Sequence, residues 1–475
     1  MFSFFKSIFK PVDMTTGNPL KKIVLFAIPL LLGNFAQQLY NTVDTIVVGQ
    51  YIGDHALAAV GSAGSIINLM IVLFVGIAIG VSVLVSQYFG SKDADNLSLL
   101  VGNTFVLVLI SSLIIALIGI FTIRPLLELL STPEFLMDMS ETYLQVFLVG
   151  GLGFAYFNIL SGVLRGLGDS TSPLLYLCIA SIINIILDIY FISELNMGIA
   201  GVALATVIAQ WISAILCMLK LKKTNHLFVL KLEHFKLSLK VIKDIAKIGL
   251  PSGFTQCIFS IAMLFTQSLT NSFGDFYMSA SVIIFRIDSF AIMPIFSLAN
   301  AMTTFTGQNF GAKQYKRLFD GVKKGTFLAI AVNIFLTALL VIFAKDIMVL
   351  LTDTKELIDI SYLYMLVICA GYPFFTITQT LGAVLRGAGV PMPSMWISII
   401  TTVFIRVPTA YLFAFISISP MYPNGDPISN YLSMLVAFII GGSVSFIIYI
   451  RKNWIPSEIK MELLKQDNNQ YNSKY

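Results

Sequence analysis

A chain of 475 residues that is 57% hydrophobic and only 12% charged, with a mean hydropathy of +0.86, lacks the polar surface to cover a globule in water. Soluble domains carry about 25% charged residues, so composition excludes a water-soluble fold and points to an all-α polytopic membrane protein. The net charge of +5 bears on orientation in the bilayer first, and no nucleic-acid partner is expected.

The chain opens on MFSFFKSIFKP. Lys6 and Lys10 break the apolar run and no small-residue cleavage site follows, so a secretory signal is not expected. Phe2, Phe5 and Phe9 share a helical face, which fits a short helix on the cytoplasmic membrane surface or a frayed tail. Beyond it, runs of roughly 20 apolar residues predict about twelve spans: 20–48, 57–86, 98–121, 138–165, 172–193, 198–220, 244–271, 277–306, 320–343, 357–386, 393–416 and 430–451. Pro29, Pro251, Pro294, Pro373 and Pro408 fall inside spans, where lipid-embedded helices tolerate them as kinks.

Span one carries Gln37, Tyr40 and Asn41 at i, i+3 and i+4, a polar stripe leading to Asp44 near the outer end. With Tyr143 of span four, these are candidate cavity residues, since aromatic faces attract organic cations. Span five reads SIINIILDIYF, and its Asn184 and Asp188 lie one helical turn apart on one face. A carboxylate near the bilayer centre costs ~2.5–3.5 kcal/mol on insertion scales. No Lys or Arg is expected at comparable depth in spans one to six, so Asp188 reads as a site for a cation or a proton rather than half of a helix-tying ion pair. Asn184 is read either as a ligand or as an interhelical hydrogen bond.

Lys220–Lys247 reads as a solvated cytoplasmic linker. After it the chain repeats itself: VSQYFGSKD (85–93) returns as TGQNFGAKQ (306–314), VLRGLG (163–168) as VLRGAG (384–389), and Pro29 as Pro251, each about 221 residues on. Two six-span halves of like orientation follow: an amino-terminal lobe (1–220), a linker (221–243), a carboxy-terminal lobe (244–455) and a cytoplasmic tail (456–475). The repeat sets Thr266 opposite Asp44, Gln379 opposite Asn158, and Pro408 or Thr409 opposite Asp188. Intramembrane charge in the second half is Arg286, Asp288 and Arg406; Asp288 is expected to pair across helices with Arg406 or Arg286, as a structural lock or in switching.

Basic residues favour one side. Lys6, Lys10, Lys21, Lys22, Lys92, Arg165, the linker, Lys313–Lys324 and Arg386 are assigned to cytoplasmic loops and tails, against Arg124, Lys345 and Lys355 outside. Both termini are therefore expected in the cytoplasm of a cell-membrane protein. The four cysteines lie in apolar runs without CxxC spacing, and His55, His226 and His234 are assigned to loops, so neither a disulfide set nor a metal cofactor is expected.

Together PLLLGNFAQQLYNTVDTIVVGQYIG (29–53), SQYFG and GQNFGA, VLRGLGDSTSP (163–173) and VLRGAGVPMP (384–393) resemble the multidrug and toxic compound extrusion (MATE) transporters over roughly residues 15–452. The resemblance implies two six-helix lobes in a V around a central cavity, a membrane-embedded, monomeric antiporter rather than an enzyme, and export of cationic or amphipathic drugs against Na+ or H+ influx by alternating access. It further implies, by likeness to the DNA-damage-inducible subgroup, a coupling-ion site of Asp44, Asn158, Asn184, Asp188 and Thr206. Na+ would be held at Asp44, Asn184, Asp188 and Thr206. Where other branches place carboxylates in spans seven and ten, this chain has Gln256 and Gln379, which join the candidate cavity residues. The donor set suits a hard cation, and two acids close together in low dielectric suit a proton equally well. The same superfamily contains flippases for lipid-linked sugars. That alternative calls for a strongly cationic cavity, and Arg286 and Arg406 alone supply little of one.

Overall fold

The computed structural model describes residues 11–130, 132–224, 227–452 and 454–455. The amino-terminal amphipathic segment through Lys10, His226 and the tail 456–475 lie outside the described residues. In chain order the α-helices are α1 (Pro19–Tyr51), α2 (Asp54–Ser91), α3 (Ala94–Leu129), α4 (Glu134–Gly150), α5 (Leu152–Gly166), α6 (Thr171–Ser193), α7 (Gly198–Lys222) and α8 (Leu239–Ser272). They continue as α9 (Asp275–Gly311), α10 (Tyr315–Val349), α11 (Lys355–Gly387), α12 (Met392–Ile399), α13 (Val407–Ile416) and α14 (Ile428–Arg451). Among the described residues, 11 helical stretches are long and apolar enough to cross a membrane, Met392–Ile416 counting as one, and the bent α4–α5 pair brings the number to 12. The protein is a multi-pass, all-helical membrane protein.

Helix boundaries follow local chemistry. Asn18 caps α1 by accepting from the N–H groups of Leu20 (3.0 Å) and Lys21 (3.3 Å), with Pro19 at the first helical position. The span expected at 138–165 is in fact two helices meeting at 52°. The adjacent glycines Gly150 and Gly151 sit at the break, and glycine is a poor helix former; a Cβ on Gly150 would also lie 2.2 Å from the Val207 side chain. A π-helical turn, Ile400–Arg406, separates α12 from α13. Pro408, just beyond it, has no N–H to give and crowds the preceding turn, which accounts for the widened helix.

The repeat is written into the backbone. Left-handed residues recur at matching places: Gly53 (φ 104°) and Gly274 (φ 99°), Lys92 (φ 57°) and Lys313 (φ 54°), Gly168 (φ 90°) and Gly389 (φ 81°). Contacts divide the chain into two compact units, one ending at Gly253 and one beginning at Phe254, so the division falls inside α8.

In the first unit α2 is the central helix, packed against α5 and the start of α8. Small residues let backbones touch there: a Cβ on Gly162 would lie 2.8 Å from the Ala78 carbonyl oxygen, and one on Gly80 2.6 Å from that of Ile245. In the second unit α11 packs against α9, α10 and α14.

The linker departs from the expected solvated loop. Residues Leu232–Phe235 form a 3-10 turn docked on α3. Buried Asn103 donates to the carbonyls of His234 (3.0 Å) and Lys236 (3.2 Å) and accepts from the N–H of Ser238 (2.6 Å), while Phe228 is buried in the unit's core. The lysine side chains stay in water while the backbone is held. Two further expectations are corrected. His55 lies in the first turn of α2 rather than in a loop, and Arg165 and Arg386 lie in the last turns of α5 and α11.

Candidate functional site

Two acids from different helices meet in the first unit. Asn184 and Asp188, one turn apart on α6, are both wholly buried. Helix α6 packs against α1 and α7, which brings Asp44 of α1 and buried Thr206 of α7 to the same face. Asp44 is half-buried rather than solvated at the end of its span, and its carboxyl group faces that of Asp188. Two carboxylates brought together out of water repel, so the pair calls for a proton or a cation between them.

Around this pair the polar groups interlock. In the amide orientation that satisfies both neighbours, Asn184 donates from its nitrogen to Asp188 Oδ2 (2.9 Å) and accepts at its oxygen from the Thr206 N–H (3.2 Å). Tyr40 lies beside the Thr206 side chain, and buried Tyr143 of α4 lies within electrostatic reach of Asp44, Tyr40 and Asp188. Among the described residues no Lys or Arg acts on either acid, and Oδ1 of each is buried without a hydrogen-bond partner. Those two orphaned oxygens, in a site with no fixed cation, are what a proton or a small cation would satisfy.

The remaining candidates divide. Gln37 donates to Asn41 Oδ1 (3.1 Å), continuing the stripe toward Asp44, although Asn41 itself is exposed. Asn158 donates within its own helix to the Phe154 carbonyl (2.9 Å) and, among the described residues, makes no hydrogen bond to the acid pair; it lines a cavity with Gln37. Gln256 and Gln379 belong to the second unit, the first exposed and the second half-buried. Among the described residues no three His, Cys, Asp or Glu side chains converge as a metal site. A cation at the pair would thus rely on two carboxylates with amide and hydroxyl oxygens.

The second unit buries charge differently. Asp288 of α9 accepts a hydrogen bond from the Tyr372 hydroxyl of α11 and lies within electrostatic reach of Arg406, without a close ion pair between them. Arg406 is buried at the end of the π-helical turn, with Nε lacking an acceptor; Arg286 is exposed. Sequence reasoning missed Tyr372, which lies 84 residues from Asp288 with no local signal of the contact, and missed the link from Tyr40 to Thr206.

A duplicated, multi-pass helical chain with a buried acid pair of this kind is a membrane transporter rather than an enzyme. The MatE family model matches residues 29–190 and 251–412, once in each half, and the chain belongs to that family. It is 29% identical over 412 residues to the probable multidrug resistance protein YpnP of Bacillus subtilis, covering 85% of this chain and 91% of that one. Similarity to the DNA damage-inducible protein F of Escherichia coli is 23% over 353 residues, covering 72% and 74%. A solved structure described as the outward-facing conformation of a multidrug resistance MATE family transporter of the MOP superfamily superposes with a TM-score of 0.86 at 25% identity, over 95% of this chain and 99% of the other.

Proposed function

We propose that the protein is a proton-coupled antiporter that exports cationic or amphipathic drugs across the cytoplasmic membrane, with both termini inside. The observation that carries the reading is the meeting of the Asp44 and Asp188 carboxyl groups in a buried site where, among the described residues, no basic side chain acts on either, since two carboxylates so placed cannot both stay ionised. Family membership supports transport, and the multidrug names of the relatives support the substrate class. H+ is preferred to Na+ as the coupling ion because two adjacent carboxyl groups in a low-dielectric site can be neutralised by a single shared proton.

In this reading the lobe 1–220 carries the coupling site, the linker 221–243 joins it to the lobe 244–455, and a single chain alternates access between the two sides. Protonation biases the cycle only because the acid pair holds its proton more tightly in one state than in the other. Asp288, Tyr372 and Arg406 act as a structural lock of the second lobe. Kinship with the DNA-damage-inducible subgroup belongs to the same proposal and rests on Asp44, Asn184 and Asp188. Drug efflux from cells expressing Asp188→Asn tests it: the variant reaches the membrane at normal levels and exports no more than vector-only cells. Full efflux by that variant would refute the assignment.

A further inference from the structure

Apart from the acid pair, the first unit contains a cavity of about 180 Å³ walled by α1, α5 and α6. Leu30, Phe157 and Leu174 give it apolar sides, Ser161 and Ser170 supply hydroxyls, and Arg165 is the one charged residue in its lining. No carboxylate lines it.

Arg165 is half-buried, and among the described residues its guanidinium stands without a counter-ion. Its electrostatic neighbour is the Cys217 thiol, and among the described residues no Asp or Glu stands within ion-pair distance of it. The nearest acid in sequence, Asp169, is engaged elsewhere: it meets Lys220 at 3.3 Å and caps α6 through the N–H (2.9 Å) and hydroxyl (2.7 Å) of Ser172. The repeat sharpens the contrast. Arg386, the counterpart of Arg165, donates to Ser394 Oγ at 3.3 Å, and the first half has Pro173 where the second has Ser394. Proline offers no side-chain acceptor, and Arg165 lines the cavity instead.

We propose that Arg165 makes this cavity a binding subsite for the carboxylate of a small aromatic or amphipathic acid. The guanidinium takes the carboxylate in a charge-assisted, two-pronged contact, and the ring lies against Leu30, Phe157 and Leu174. The space suffices for one ring, since an apolar cavity of about 150 Å³ holds benzene. The subsite rests on the transport reading for its purpose, which it extends from cations to molecules bearing an acid group. Binding itself depends on no ion gradient.

The test is 19F NMR titration of the purified full-length protein in zwitterionic nanodiscs with 4-fluorobenzoate and its neutral counterpart 4-fluorobenzamide. The wild type is expected to bind the acid at least ~10-fold more tightly, as a charge-assisted pair allows. Arg165→Gln is expected to erase that preference, and Arg165→Lys to keep part of it, holding the charge without the fork. Equal affinity for acid and amide in the wild type overturns the proposal, and that comparison needs no variant to fold. A preference surviving in Arg165→Gln overturns it as well. Nanodiscs containing an anionic phospholipid form the remaining arm: unchanged 4-fluorobenzoate affinity supports a free carboxylate as occupant, and displacement by the lipid overturns that assignment in favour of a headgroup. Because no gradient is imposed, failure here leaves the coupling role of Asp44 and Asp188 standing, and loss of coupling leaves this result standing.

Discussion

Each unit of the chain buries an aspartate among its helices, and the two are treated in opposite ways. Asp288 has a hydroxyl and a guanidinium for company, Tyr372 and Arg406. Asp188 has a second acid, an amide and a hydroxyl, contributed by Asp44, Asn184 and Thr206. A carboxylate beside a fixed cation carries its own neutralising charge. A carboxylate beside another carboxylate must take positive charge from solution and is free to give it back. The repeat therefore keeps the scaffold, down to the left-handed turns at Lys92 and Lys313, while the two halves surround their aspartates with different groups; in the proposed reading one half exchanges charge and the other stores it.

The largest expected effect breaks the exchanging half. Asp188→Asn, or Asp44→Asn, removes the shared proton and should reduce gradient-driven efflux to background while leaving surface expression intact. The storing half should respond in stability. Asp288→Asn removes the negative charge that acts on buried Arg406, and thermal unfolding in detergent should register the loss as a lower melting temperature. Exchanging the two charges, Asp288→Arg with Arg406→Asp, should recover folding if the pair is a lock, and failure of the double variant to do so would remove that role. Tyr372→Phe deletes one donor to the same carboxylate and should cost about 1–3 kcal/mol, again seen as a lower melting temperature without loss of efflux per folded molecule. The smallest effect is expected at Thr206→Val. The Tyr40 contact is lost but the backbone N–H that Asn184 uses is kept, so transport should weaken modestly with stability changed by about 0.5–1.5 kcal/mol.

Much of this was legible in the chain itself, for physical reasons. Apolar run length fixes where helices cross a bilayer, so the spans fall close to their expected places. Spacing within one helix puts Asn184 and Asp188 on one face, and both are buried there together. Contacts between helices were not legible in the same way. Nothing near Tyr372 announces Asp288, and nothing near Asn103 announces that it holds the linker backbone of His234, Lys236 and Ser238. The bend at Gly150–Gly151 was hidden because an apolar run of span length does not reveal a change of direction within it. Arg165 was misplaced for a related reason: a positive charge near a span end looks like a loop residue until packing places it against a cavity.

The most direct measurement of the central claim is drug transport in sodium-free proteoliposomes driven by a pH difference alone, compared with liposomes given only a Na+ gradient. The acid pair predicts that the pH difference drives substrate toward the more acidic side, that the Na+ gradient alone does not, and that Asp188→Asn abolishes the movement. Transport driven by Na+ alone, with no response to the pH difference, would contradict the account.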